Sequence, residues 1–170
     1  MNKKKIPNIV TLANLALGTL ALIHTIQYRC NLAAILILIC AILDGMDGKL
    51  ARRLNAVSAF GKELDSLADL VSFGVAPALL VYVVSLSQLS LFDILVTLAF
   101  VLCGAIRLAR FNVSQPRKYF TGVPITIAGS ILAGTILIHH FFALPLLVFP
   151  LIMISMSYLM VSKFKVPCWK

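Results

Sequence analysis

Apolar residues run along the chain in stretches of helical-span length, near 8–27, 32–50, 63–86, 91–110, 122–140 and 143–162, with a few polar or turn-forming residues between them. A helix needs roughly 20 apolar residues to cross the hydrocarbon core of a bilayer, and only helices and closed barrels satisfy their backbone groups there. The pattern predicts an all-α integral membrane protein with six transmembrane helices. Its two sizeable polar connections are ARRLNAVSAFGK at 51–62 and FNVSQPRKYFT at 111–121. An even number of spans puts both of them on the same side as the two termini. The basic opening followed by the apolar run Ile9 to Ile26 resembles a secretory leader, but it lacks a small-residue cleavage pattern and reads as a retained first span.

Composition agrees with this reading. Of the 170 residues, 61% are apolar and 12% charged, more apolar surface than a soluble domain of this size can bury. Six spans at ~20 residues each leave short connections only, so one domain over 1–170 is expected. The net charge of +9 changes the picture in one respect. All of the 15 Lys and Arg except Arg29 fall on the side of the loops and termini. By the positive-inside rule that side is cytoplasmic, which places the protein in the cytoplasmic membrane. Topology and anionic headgroups account for this basicity, and no nucleic-acid partner is expected. The four cysteines, Cys30, Cys40, Cys103 and Cys168, form no C-x-x-C pair and read as apolar filler.

Candidate chemistry is concentrated in one place. Of the six acidic residues all but one, namely Asp44, Asp47, Glu63, Asp65 and Asp69, lie between positions 44 and 69. An Asp at the centre of a membrane helix costs ~2.5–3.5 kcal/mol, so a group of them calls for compensation. Asp44 and Asp47 are spaced i,i+3 near the end of the second span, and Asp65 and Asp69 are spaced i,i+4 near the start of the third, so each pair shares a helix face. Four carboxylates converging from two helices suit one or two hard divalent cations, Mg²⁺ or Mn²⁺. Ion pairing with Arg52, Arg53 or Arg107 is the bland alternative, but it explains neither the spacing nor the interposed glycines Gly45, Gly48 and Gly61. Gly45 reads equally as a helix-packing glycine. Arg52 beside divalent cations would clamp a phosphate or pyrophosphate. A non-enzymatic cation carrier is a rival use of the same carboxylates. It has no need of the Gly48, Ala51 and Arg52 arrangement, and the acidic cluster occurs once, without an inverted repeat.

The run from Asp44 to Asp69, DGMDGKLARRLNAVSAFGKELDSLAD, resembles the signature of the CDP-alcohol phosphotransferase family, D-x2-D-G-x2-A-R-x8-G-x3-D-x3-D. Asp44, Asp47, Gly48, Ala51, Arg52, Gly61, Asp65 and Asp69 meet every fixed position. PNIVTLANLALG in the first span, FGKELDSLADLVSFGVAP in the third, RLARFN at 107–112 and YFTGVP at 119–124 are similar to the phosphatidylserine synthase branch.

The resemblance implies six transmembrane helices, commonly in a homodimer, and a polar cavity open to the cytoplasmic leaflet. It also implies transfer of a phosphatidyl group from CDP-diacylglycerol to L-serine with release of CMP. By position, Asp44, Asp47 and Asp65 would be metal ligands for two divalent ions, and Asp69 both ligand and general base. Gly48, Ala51 and Arg52 would lie against the cytidine diphosphate, with Asn8, Thr11 and Ser58 as further contacts. Arg107, Arg110 and Asn112 are candidates for holding serine, each with a helix-cap or topology-charge reading beside it. A sister enzyme that uses glycerol 3-phosphate or inositol phosphate remains the nearest alternative. His24, His139 and His140 fall at the opposite helix ends and are not expected in the chemistry.

Overall fold

The computed structural model describes residues 6–53, 58–85, 91–113, 119–162 and 165–167, and within these the side chains of all but 6, 47, 49–53, 119–121 and 165–167. The described residues are overwhelmingly helical: α1 (Ile6–Ile26), α2 (Cys30–Arg53), α3 (Ala59–Asp69), a π-helical segment (Leu70–Val75), α4 (Ala76–Ser85), α5 (Leu91–Val113), α6 (Ile125–Phe142) and α7 (Val148–Val161). From α3 to α4 the helix is continuous, Ala59–Ser85. Among the described residues, four helical stretches are long and apolar enough to cross a membrane: Pro7–Ile26, Ala59–Ser85, Leu91–Val113 and Ile125–Phe142. Cys30–Met46 and Val148–Val161 are shorter apolar helices. At 1.5 Å per residue the 14 residues of α7 extend about 21 Å, less than a ~30 Å hydrocarbon core.

Local chemistry explains where the helices begin and end. Ser58 caps α3, its hydroxyl accepting from Gly61 N at 3.0 Å, which satisfies one of the amides a helix start leaves open. The turn between α1 and α2 is only Gln27 to Arg29. Tyr28 there has φ 60°, and Arg29 N donates to His24 O at 2.9 Å. At the end of α6, Ala143 takes φ 44° and donates to His139 O at 2.9 Å. These are left-handed helix caps that would ordinarily favour glycine.

Two connections differ from the expected loops. Helix α2 runs through Arg53 and α3 starts at Ala59, so much of 51–62 is helical. Likewise α5 continues to Val113, and Tyr119–Thr121 pairs antiparallel with Lys165–Pro167, Phe120 opposite Val166. This short ladder was not visible in the apolar pattern, because strands of three residues are too brief to show alternation.

The core centres on the π-helical segment. Phe73, Phe100, Phe149, Ile125, Leu132 and Met153 are fully buried. Small residues let the helices close around them. A Cβ on Gly129 would lie 2.6 Å from Phe73 O, and one on Gly104 would lie 2.6 Å from Ile125 Cδ1. The face of α1 formed by Thr11, Asn14, Gly18 and Ala21 is turned inward, and Ser72 of the π segment sits directly against Gly18. Outward-facing Leu12, Leu20, Ile23, Leu95, Leu98, Leu102, Leu151 and Ile154 are exposed, as lipid-facing residues are.

Gly129→Ala tests this packing. The added methyl meets backbone, so the variant is expected to lose ~1–3 kcal/mol, read as an earlier thermal unfolding midpoint in detergent. Gly134, whose Cβ would meet nothing within 4 Å, is the control. Gly134→Ala should unfold no earlier than the unsubstituted protein, since alanine favours the helix by ~1 kcal/mol.

Candidate active site

Helix α2 carries Asp44 toward its C-terminal end, and α3 carries Asp65 and Asp69 one turn apart immediately before the π segment. Both helices pack against α1, and the three acids come together. One carboxylate oxygen from each lies within 4.8 Å of the others. At an effective dielectric of 20, two unit charges at that distance repel by about 3 kcal/mol. Burial sharpens the problem, because Asp69 is only 8% exposed and Asp65 Oδ1 is buried with no hydrogen-bond partner among the described residues. Clustered, desolvated carboxylate oxygens with an uncommitted acceptor fit a hard divalent cation such as Mg²⁺ or Mn²⁺.

Neighbouring helices supply the remaining polar groups. Thr126, in the first turn of α6, donates its hydroxyl to Asp44 Oδ2 at 3.1 Å. Arg107 of α5 is partly buried and lies within electrostatic reach of Asp69, and its Nε has no hydrogen-bond partner.

The other expected site residues divide into several groups. Asp47, Ala51 and Arg52 continue α2, and their side chains lie outside the described residues. A Cβ on Gly48 or Gly45 would meet nothing within 4 Å. Among the described residues, then, no helix side chain or backbone packs against the Cβ position of Gly45 or Gly48. Gly61 is different. Its Cβ would lie 3.0 Å from Asn8 Oδ1 and 3.1 Å from Ser58 Oγ, so glycine here lets α1 approach the capped start of α3. Ser58 and Asn8 thus sit together, with Ser58 engaged as the helix cap. Thr11 is buried, and its hydroxyl donates to Pro7 O at 3.2 Å.

Of the three RLARFN candidates, Arg107 lies within electrostatic reach of Asp69. Arg110 donates through Nη1 to Val161 O at 3.2 Å, tying α5 to the end of α7. Asn112 donates to Glu63 Oε2 at 3.1 Å and Ser66 Oγ at 3.0 Å. Its carbonyl accepts from Lys62 Nζ at 3.0 Å, and Lys62 also lies 5.4 Å from the Phe111 ring centroid. This arrangement clamps α3 to α5. His24, His139 and His140 occupy the last turns of α1 and α6, and His139 packs edge-on to Phe149 at 5.3 Å. Cys30, Cys40 and Cys103 are free thiols.

Sequence reasoning missed two residues. Thr126 looks like any helical threonine, and no local signal marks it. Ser72 lies in the third-span segment but had no assigned role; its hydroxyl donates across to Asn14 O at 3.2 Å.

A model of the family described as CDP-alcohol phosphatidyltransferase matches residues 4–165. The chain belongs to that family. Among curated relatives, it is 42% identical over 166 residues to the CDP-diacylglycerol--serine O-phosphatidyltransferase of Bacillus subtilis, covering 97% of this chain and 91% of that protein. It is 38% identical over 176 residues to the archaetidylserine synthase of Methanothermobacter thermautotrophicus, covering 98% and 74%. Against the CDP-diacylglycerol--serine O-phosphatidyltransferase of Helicobacter pylori J99 the identity is 39%, over 79% of this chain and 60% of that protein. As a member of the family with four long apolar helices, the chain is an integral membrane protein.

Repulsion within the cluster has a measurable consequence. In EDTA, Asp65→Asn is expected to unfold at a higher temperature than the unsubstituted protein, because one buried charge is gone. Added Mn²⁺ should raise the unfolding midpoint of the unsubstituted protein and leave that of Asp65→Asn nearly unmoved. A thermal-shift titration in detergent checks both halves.

Proposed function

We propose that this protein is a phosphatidylserine synthase, which transfers the phosphatidyl group of CDP-diacylglycerol to the hydroxyl of L-serine and releases CMP. The observation that carries the reading is the convergence of Asp44, Asp65 and Asp69, with Arg107 beside them, in a chain similar along nearly its whole length to proteins of that name. The chain forms one domain, 1–170, of six transmembrane helices with both termini cytoplasmic, and works as a homodimer in the cytoplasmic membrane. The end of the short apolar stretch of α2 at Met46 supports a site at headgroup level, and the basic residues of the loops and termini support the cytoplasmic side. There a donor's acyl chains stay in lipid while serine and the cytidine group remain in water.

Asp44, Asp47, Asp65 and Asp69 would hold the divalent ions, Mg²⁺ or Mn²⁺ and two per site. The chemistry such ions supply is neutralisation of diphosphate charge and stabilisation of CMP as leaving group. Arg52, with Gly48 and Ala51, binds the diphosphate; the small residues let the ligand approach the helix, and the guanidinium pairs with phosphate oxygens. Asn8, Thr11 and Ser58 contact the nucleotide from α1 and the start of α3.

Serine's hydroxyl is a weak nucleophile at neutral pH and must lose its proton as it attacks. Asp69 accepts that proton. The serine oxygen bonds to the phosphorus bearing the diacylglycerol, the bond from that phosphorus to the CMP oxygen breaks in line, and the electron pair leaves with CMP. Arg107 pairs with the serine carboxylate. Arg110 and Asn112, which link α5 to α7 and α3, hold the segment that presents it.

Purified protein in detergent with CDP-diacylglycerol and Mn²⁺ is expected to release CMP with L-serine and not with glycerol 3-phosphate or inositol phosphate. Release with a phosphorylated acceptor would reassign the acceptor, and Mn²⁺ flux into proteoliposomes without CMP formation would favour a carrier. Asp69→Asn should lower turnover by ~10²–10⁴-fold while CDP-diacylglycerol still binds.

A further inference from the structure

Hydroxyl side chains in this bundle overwhelmingly bond back to their own helix. Thr19, Thr25, Ser66, Ser85, Thr97, Ser130, Thr135, Ser155 and Ser157 each donate to the carbonyl four residues earlier, at 2.7–3.1 Å. This is the usual resting place of a helical hydroxyl in an apolar setting. Thr126 departs from it. The residue four positions earlier, Gly122, precedes α6 and lies outside helical geometry, and the Thr126 hydroxyl crosses to α2 to meet Asp44 Oδ2 at 3.1 Å.

The start of α6 is held on several sides. Gly122 has φ +80° and abuts Met160 O, and Val123 N donates to Leu159 O at 3.2 Å. Ile125 is fully buried, and its Cδ1 fills the spaces that Gly104 and Gly74 leave open. The Thr126 backbone is therefore anchored by its neighbours, independently of Asp44. A hydroxyl on so fixed a base constrains the carboxylate it touches more than it is constrained by it.

We propose that Thr126 is a positioning residue of the carboxylate site: by holding one oxygen of Asp44, it sets the orientation in which that carboxylate meets a cation shared with Asp65 and Asp69. The inference rests on the proposed metal-dependent reading of the site and extends it to a fourth helix. Partners that orient a ligating carboxylate commonly change metal affinity or activity by ~10–100-fold when removed. A hydroxyl also suits this place better than a cation would, because it fixes the carboxylate without cancelling the charge that attracts the metal.

The test is Mn²⁺ binding by the full chain in detergent without substrate, read from loss of the free-ion electron paramagnetic resonance signal. Thr126→Val keeps the branched shape and removes the donor, so its Mn²⁺ Kd should rise about tenfold or more. Thr126→Ser restores the donor and should return the Kd close to that of the unsubstituted protein. If Val at 126 proves incompatible with folding, Thr126→Ala makes the same comparison. A lower unfolding temperature in EDTA with unchanged Mn²⁺ affinity would show that the hydroxyl only ties two helices together, and would overturn the proposal. If the unsubstituted protein fails to bind Mn²⁺ while Asp65→Asn behaves identically, the metal reading itself falls and takes this inference with it.

Discussion

Three carboxylates whose oxygens lie within 4.8 Å of one another repel, and the bundle around Asp44, Asp65 and Asp69 is arranged to hold them together despite that repulsion. No single helix could do so. Asp44 comes from α2 and the other two from α3, so the cluster depends on how both helices are packed on α1. Helix α1 meets the capped start of α3 through the Asn8, Ser58 and Gly61 contact. Helix α5 adds a second brace, with Asn112 bonded to Glu63 and Ser66 on the flank of α3 facing it. Most of the polar side-chain bonding at this end of the molecule thus fixes the positions of charges that would otherwise separate.

The same demand explains why the core just beyond the acids is so closely packed. Asp69 passes directly into the π-helical segment, whose Phe73 is fully buried and whose Ser72 reaches the backbone of α1. Glycines at 18, 104 and 129 bring three other helices up to that segment and to Ile125. A loosely packed segment here would let the α3 acids relax outward. Rigidity in the apolar layer is what makes the polar layer above it a defined site.

Much of this was legible in the amino-acid sequence, for identifiable reasons. The helical runs were visible because bilayer-length apolar stretches carry a strong signal, and the acids because negative charge is so rare elsewhere in the chain. Their pairing also followed from helical spacing within a short stretch. What escaped was whatever depends on distant contacts or on the local state of the helix. Thr126 lies 82 residues from Asp44, and its hydroxyl has no distinguishing neighbour in sequence. Arg107, Arg110 and Asn112 look alike as polar residues at one helix end, yet only the fold shows that Arg110 bonds to the end of α7 and Asn112 to α3, while Arg107 lies within electrostatic reach of Asp69. Boundaries were blurred too, since helices α2 and α5 run on into polar sequence that composition assigns to loops.

The π-helical turn has a consequence for how such chains can change length. A π turn accommodates one more residue than the α-helical hydrogen-bonding pattern would. Ala76 N accordingly bonds to Val71 O, five residues back. Removing one residue between Leu70 and Val75 would let the segment tighten into ordinary α-helix. Everything beyond it would keep nearly the same orientation relative to Asp65 and Asp69, because six residues in π-helical turns sweep about the same angle as five in α-helical ones. Pro77 and the rest of the buried face of α4 would stay turned to the core. A comparison of related chains that counts only residues would expect a single-residue gap here to turn every later face, where the helix absorbs it between the charged end and the apolar end.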